Sequence, residues 1–132
     1  MLTVATACCA LLSGCGGGLP TAPVRGKITY QGKPVPSGTI LFMPEGDQPA
    51  ATGEIQPDGS YVLETYEPGD GAVLGKHSIM ITAVEDQTGK LPEARSPMPA
   101  LLIPVKYTNM MTSGLTAEVQ PGQNTIDFVL EK

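Results

Sequence analysis

From Val24 onward the chain keeps a period of two. Val24, Gly26, Ile28 and Tyr30 alternate with Arg25, Lys27 and Thr29, which predicts a strand with one buried face. Gln31-Gly32-Lys33-Pro34 predicts a turn, because Gly32 tolerates positive φ. Thr39–Met43 predicts a second strand with Ile40 and Phe42 on one side, closed by Pro44, which has no N–H for a ladder. After a polar loop at 45–50, Ala51–Ile55 and Tyr61–Thr65 predict a hairpin. Its turn is Gln56-Pro57-Asp58-Gly59-Ser60, where Pro57 presets φ and Asp58-Gly59 bends tightly.

Glu67–Ala72 predicts another Gly-rich turn. Lys76–Val84 is then the longest strand candidate, with Ile79, Ile81 and Ala83 on one face and Ser78, Met80, Thr82 and Val84 on the other. Both faces are fairly apolar, which suits a central strand. Glu85–Gly114 breaks the pattern, and Pro92, Pro97, Pro99 and Pro104 exclude a helix of any length. So long a gap signals a missed element or a functional loop. Within it, Leu101-Leu102-Ile103 suits a short, buried edge strand, and Tyr107–Gly114 a turn back to the sheet. Leu115, Ala117 and Val119, then Ile126, Phe128 and Leu130, mark two final strands around a hairpin turn at Pro121-Gly122-Gln123-Asn124. Six strands and a seventh candidate predict one all-β domain over 24–132, a seven-stranded antiparallel Greek-key β-sandwich. Composition agrees: 16 Gly, 13 Pro and 41% hydrophobic residues suit short strands joined by many turns.

The front of the chain follows another rule. Leu2–Leu12 is apolar and ends in Leu12-Ser13-Gly14-Cys15, an apolar residue and two small ones before a cysteine. This pattern reads as a lipobox, with cleavage between Gly14 and Cys15 and lipid on the Cys15 thiol. The plainer reading is an ordinary secretory signal with an incidental cysteine. No Lys or Arg precedes the apolar stretch, which departs from the usual signal. Cys8 and Cys9 are poorer cleavage points, since each leaves a very short apolar core. The lipobox divides the chain into a signal peptide at 1–14, a flexible lipidated tether at 15–23 and the domain at 24–132. It places the protein at the cell envelope, anchored to a membrane and facing the periplasm or exterior. Gly16 and Gly17 carry no aspartate retention signal, which favours the outer membrane where that sorting rule applies. No later stretch approaches the ~18 apolar residues of a spanning helix.

The other residues narrow the chemistry. All three cysteines lie within the first fifteen residues, so the domain has no disulfide framework and no thiol metal site. A net charge of −5 without a basic patch argues against nucleic acid. The single histidine, His77, is in phase with Ile79 and Ile81 and is expected to pack at the end of the core. No second histidine supports zinc or copper, no Gly-x-Ser-x-Gly elbow supports a triad, and no Gly-rich loop leads into a phosphate-binding Lys. The expectation is therefore no catalytic residue, no cofactor and no metal. A self-formed isopeptide bond from Lys27 to Asp127 or Asn124 is rejected, because Lys27 and Asp127 fall on polar strand faces. One candidate surface remains: Pro97–Ile103 with Met110-Met111 is apolar and irregular, either an adaptable binding surface or a cap on the open end of the core.

An ordered set of segments carries a resemblance. Val24-Arg25-Gly26-Lys27-Ile28-Thr29-Tyr30, Gly32-Lys33-Pro34-Val35-Pro36, Gly38-Thr39-Ile40-Leu41-Phe42 and Asp58-Gly59-Ser60-Tyr61 come first. Gly75-Lys76-His77, Pro104-Val105-Lys106-Tyr107, Ser113-Gly114-Leu115-Thr116-Ala117 and Asn124-Thr125-Ile126-Asp127-Phe128 complete it. Together they resemble the transthyretin-like, carboxypeptidase-regulatory-like domains, especially small bacterial lipoproteins with one such domain behind a lipobox. The resemblance implies a prealbumin-like sandwich acting without catalysis, as a structural or protein-interaction module of the envelope with other envelope proteins as partners. One branch of that fold hydrolyses 5-hydroxyisourate with histidines, an arginine and a distinctive C-terminal motif. This chain has one histidine and ends Val129-Leu130-Glu131-Lys132. A sugar-binding relative uses exposed aromatics, for which only Tyr66 and Tyr107 are candidates. A ligand- or carbohydrate-binding module using the 85–114 loop is the competing expectation.

Overall fold

The computed structural model describes residues 18–132. The Leu2–Leu12 stretch and Leu12-Ser13-Gly14-Cys15 lie outside the described residues. The described chain is all-β, with short 3-10 turns at Pro92–Ala94 and Val105–Thr108 as its helical elements. Its strands are β1 (Thr21–Ala22), β2 (Val24–Tyr30), β3 (Lys33–Pro34), β4 (Gly38–Pro44), β5 (Ala51–Ile55) and β6 (Ser60–Val62). They continue with β7 (Ala72–Val73), β8 (Gly75–Thr82), β9 (Leu115–Val119), β10 (Asn124–Thr125) and β11 (Phe128–Leu130).

One sheet has the order β5-β4-β8-β9, all antiparallel. The long strand is central, as its two apolar faces require, and Ile79, Ile81, Ala83 and His77 all turn inward. The second sheet is built on β2. β3 and β6 pair with it antiparallel, while β10 and β11 pair with it parallel. The expected wholly antiparallel arrangement is therefore corrected at the C-terminal strand. A small third pair, β1 with β7, closes one end.

Two expected hairpins are corners instead. The Gln56–Ser60 turn forms as read, with Gln56 N–H on Ser60 O and Gly59 N–H on Gln56 O. The strand after it leaves β5, however, and pairs with β2; only Thr52 and Glu64 bridge back. Pro121–Asn124 likewise passes from β9 in one sheet to β10 in the other. The converse holds at Gln31-Gly32, where positive φ at both residues makes a tight hairpin and Lys33–Pro34 pairs back onto Thr29 and Tyr30.

The apolar faces meet in a single core. Phe42 sits at its centre, 6.1 Å from Phe128, 6.4 Å from Tyr61 and 5.6 Å from His77, centroid to centroid. One aromatic from the first sheet thus meets two from the second, and each such pair contributes about 1 kcal/mol beyond area burial.

The parallel seam has a specific local cause. β10 and β11 are separated at Ile126 and Asp127, where the Ile126 carbonyl bends over Gly26. A Cβ on Gly26 would lie 1.8 Å from that oxygen. The buried Tyr61 hydroxyl donates to the same carbonyl, and Lys27 N–H donates to Asp127 Oδ1 at 2.8 Å. Burial, and then the Asp127 charge, push the Tyr61 phenol up, so it remains a donor.

The loop 65–71 is organised by Asp70. Its carboxylate accepts the backbone N–H groups of Thr65, Tyr66 and Glu67 at 2.7, 2.9 and 3.1 Å. Partial burial raises the Asp70 pKa, but these donors outweigh it and hold the carboxyl below its ordinary value.

Two stability outcomes are expected. Gly26→Ala destabilises the fold by about 3 kcal/mol or more, because the added methyl meets a backbone carbonyl that cannot retreat; urea denaturation checks this. Asp70→Ala lowers Tm at neutral pH. Because the folded pKa is depressed, the contribution is present above the unfolded value of about 3.9 and is lost as pH falls through the folded pKa. The Tm gap between wild type and Asp70→Ala therefore narrows on acidification below pH ~4, measured by thermal melts across an acid series.

Candidate functional site

β8 gives the molecule two poles. Its first residue, Gly75, lies by Val119, β7 and the N-terminal segment; its last, Thr82, lies by Thr39 and the 85–100 loop. Eight residues at about 3.3 Å each put some 25 Å between the poles. The sequence-derived candidates fall at one pole, at the other, or in the core between them.

At the pole far from the N-terminal segment lies an open, mainly polar cleft of about 670 Å³. Ser37 and Gly38 form its floor, the Ile55–Pro57 corner one wall, and Glu85–Thr88 with Arg95 the other. The Ser37 hydroxyl donates to Val84 O at 2.9 Å, which pins β4 to the chain leaving β8. Gly38 is required there, since its φ is +133° and a Cβ would lie 2.2 Å from Thr82 O.

The 85–100 stretch is a closed loop fastened to itself. Glu85 N–H donates to Ala100 O and Leu102 N–H to Ala83 O, which seals the neck. Inside it, the Gln87 side chain exchanges two hydrogen bonds with the Ser96 backbone, and Arg95 Nε donates to Lys90 O at 3.0 Å. Lys90 and Glu85 form an exposed ion pair at 2.6 Å, a contact of small energetic weight. The Thr88 hydroxyl, then its backbone N–H, holds the Asp86 carboxyl below its ordinary range. The cleft is thus lined by the carboxylate side chains of Glu54, Glu85 and Asp86 together with Arg95.

His77 takes the core position expected of it. Its Nε2 lies 2.8 Å from Val73 O and its ring lies against Phe42, while buried Nδ1 has no hydrogen-bond partner among the described residues. It lines none of the clefts described here. Among the described residues, no three of His, Cys, Asp and Glu gather as metal ligands would, and no helix is long and apolar enough to cross a membrane.

The residues weighed for an isopeptide bond are otherwise engaged. The Asp127 carboxylate holds the Lys27 backbone amide. Asn124 accepts from Gln120 N–H and donates to Pro23 O and Gln120 O, tying the corner before β10 to the chain before β2.

Two expectations about exposed groups are corrected. Tyr107 is buried; its hydroxyl donates to Glu131 O and accepts from Glu131 N–H, so it staples the C-terminal segment and is not available to a sugar. The Leu101-Leu102-Ile103 run is buried only in part and forms one isolated bridge in place of an edge strand. Ile103 enters the core, Leu102 packs half-buried against it, Leu101 makes a single bridge to Val84, and Met98 and Met111 are 84% and 91% exposed. Tyr66 is exposed as expected, at the pole of the N-terminal segment.

That segment is less free than a flexible tether at 15–23 implies. Thr21 and Ala22 pair with Val73 and Ala72, and Ala22 is buried. Sequence gave little sign of this, because two residues are too short a run to show a period. Nothing in the local pattern marked the cleft either, since its walls come from three separated stretches.

No family model and no curated protein matches this chain. Among solved structures, the chain is similar to a DUF3823 family protein from Parabacteroides merdae, with 13% identity and a TM-score of 0.44. The alignment covers 85% of this chain and 46% of that one, so this chain spans about half the length of that protein.

Proposed function

We propose that this protein is a non-catalytic, lipid-anchored module of the cell envelope, held by Cys15 and working through contacts made at the pole farthest from that anchor. The observation that carries the reading is the division between the poles. The N-terminal segment leaves at one end, and the self-fastened loop and its polar cleft stand at the other, about 25 Å away. The commitment of His77 to a backbone carbonyl inside the core supports a surface role over a catalytic one. On this reading the two main sheets form the seven-stranded, prealbumin-like Greek-key sandwich that the ordered motifs resemble, with β1, β3, β7 and the break between β10 and β11 as local additions to it.

A second reading, a ligand- or carbohydrate-binding module, is favoured by one feature. The cleft has the volume of a small-molecule site and sets carboxylates, an amide and a guanidinium around it. Its openness to solvent favours a macromolecular contact instead.

Growth with labelled palmitate is expected to label the wild-type protein and not Cys15→Ala; an unlabelled wild type would end the anchor reading. A photo-crosslinking residue at Thr88, beside the cleft, is expected to give a discrete envelope-protein adduct in living cells. The same residue at Thr116, on the sheet edge, is expected to give none. Absence of an adduct at Thr88, together with a saturable thermal shift from an envelope glycan that Arg95→Ala removes, would transfer the function to the second reading.

A further inference from the structure

The N-terminal segment is laid onto the domain at one aromatic side chain. Leu19 N–H donates to the Tyr66 hydroxyl at 3.1 Å, and Gly18 lies so close that a Cβ there would be 3.2 Å from the Tyr66 ring. Two residues later the chain enters β1 and is fixed by pairing with β7. Leu19 and Tyr66 nonetheless remain 44% and 51% exposed. Tyr66 itself is held in place from behind, because Asp70 accepts the backbone N–H groups of Thr65, Tyr66 and Glu67.

We infer that Leu19 and Tyr66 form a contact patch for the lipid surface that holds Cys15, and that this contact fixes which way the domain faces. The inference rests on the proposed lipid anchor. Three glycines, Gly16 to Gly18, separate Cys15 from Leu19, so four residue steps span at most about 14 Å. A chain so short, continued by a paired strand, keeps Leu19 and the Tyr66 side chain it contacts close to the bilayer surface. A leucine beside a tyrosine with an exposed hydroxyl suits that layer, where one end of a side chain is apolar and the other wet. Glu67 adjoins the patch and the chain carries −5 overall, so the contact is made by apolar burial and phenol hydrogen bonding with zwitterionic lipid, not by attraction to anionic lipid. The cleft at the opposite pole is thereby turned away from the bilayer.

The absence of tryptophan from the sequence makes a direct test available. Tyr66→Trp and Leu19→Trp each place one fluorophore in the patch, and Leu91→Trp places one in the exposed loop at the far pole. The full chain is purified with its acyl groups and reconstituted in phosphatidylethanolamine–phosphatidylcholine vesicles containing brominated acyl chains. Emission from Tyr66→Trp and Leu19→Trp is expected to be largely lost, and emission from Leu91→Trp retained. Equal quenching at all three positions, or none at either patch position, would overturn the contact. The mass of the N-terminal peptide separates the two failures. An unacylated Cys15 removes the anchor and the contact together, whereas an acylated Cys15 without selective quenching removes the contact alone.

Discussion

The fold depends on one close backbone approach, that of the Ile126 carbonyl to Gly26. β2 is shared by four other strands, and its parallel edge is the hardest to satisfy, because the incoming chain must break between β10 and β11 to follow it. The break would leave a carbonyl and an amide without ladder partners. Tyr61 supplies the donor for the first, and Asp127 the acceptor for the second, on Lys27 N–H. A side chain at position 26 would exclude this arrangement. Tyr61 also packs against Phe42 and Phe128, so the hydrogen bond that closes the seam and the aromatic contacts that join the sheets share one residue. Removing a partner from a buried polar group typically costs about 1–3 kcal/mol, and here the same loss would loosen the core.

The two poles follow from how that framework is fastened. One end is dense with polar ties that cross long stretches of sequence: Asn124 to Pro23, Tyr66 to Leu19, and β1 to β7. The other end carries the corner at 56–60 and the 85–100 loop, whose bonds are mostly to themselves. A loop closed at its neck and tied inside can change its outward side chains without disturbing the sheets, as a recognition surface requires.

Several polar side chains are occupied by architecture. Asp70 organises a loop, Asp127 caps a strand break, Asn124 ties a corner and Tyr107 staples the last residues. Asp58 receives the Ser60 hydroxyl and N–H, which hold its carboxyl below the ordinary value and stabilise the 56–60 corner. What remains on the surface is uncommitted in another sense: apolar Met98 and Met111, and the mixed charges around Arg95.

Within the longer strands, the sequence by itself determined which residues turn inward. The alternation at Val24–Tyr30 and Leu115–Val119, the central place of the long strand and the burial of His77 all follow from a period of two, a local property of extended chain. It also located the bends at 31–34, 56–60 and 121–124, since φ preference belongs to the residue. Tertiary structure alone decided which strand each run would join. The turns at 56–60 and 121–124 suit a hairpin or a corner equally well, and the choice was made by neighbours far along the chain: β2 for Tyr61, and Gly26 for Ile126. The parallel seam, the pairing of Thr21–Ala22 and the cleft assembled from three segments share that origin. Each depends on the free energy of contacts between distant residues, which no local pattern records.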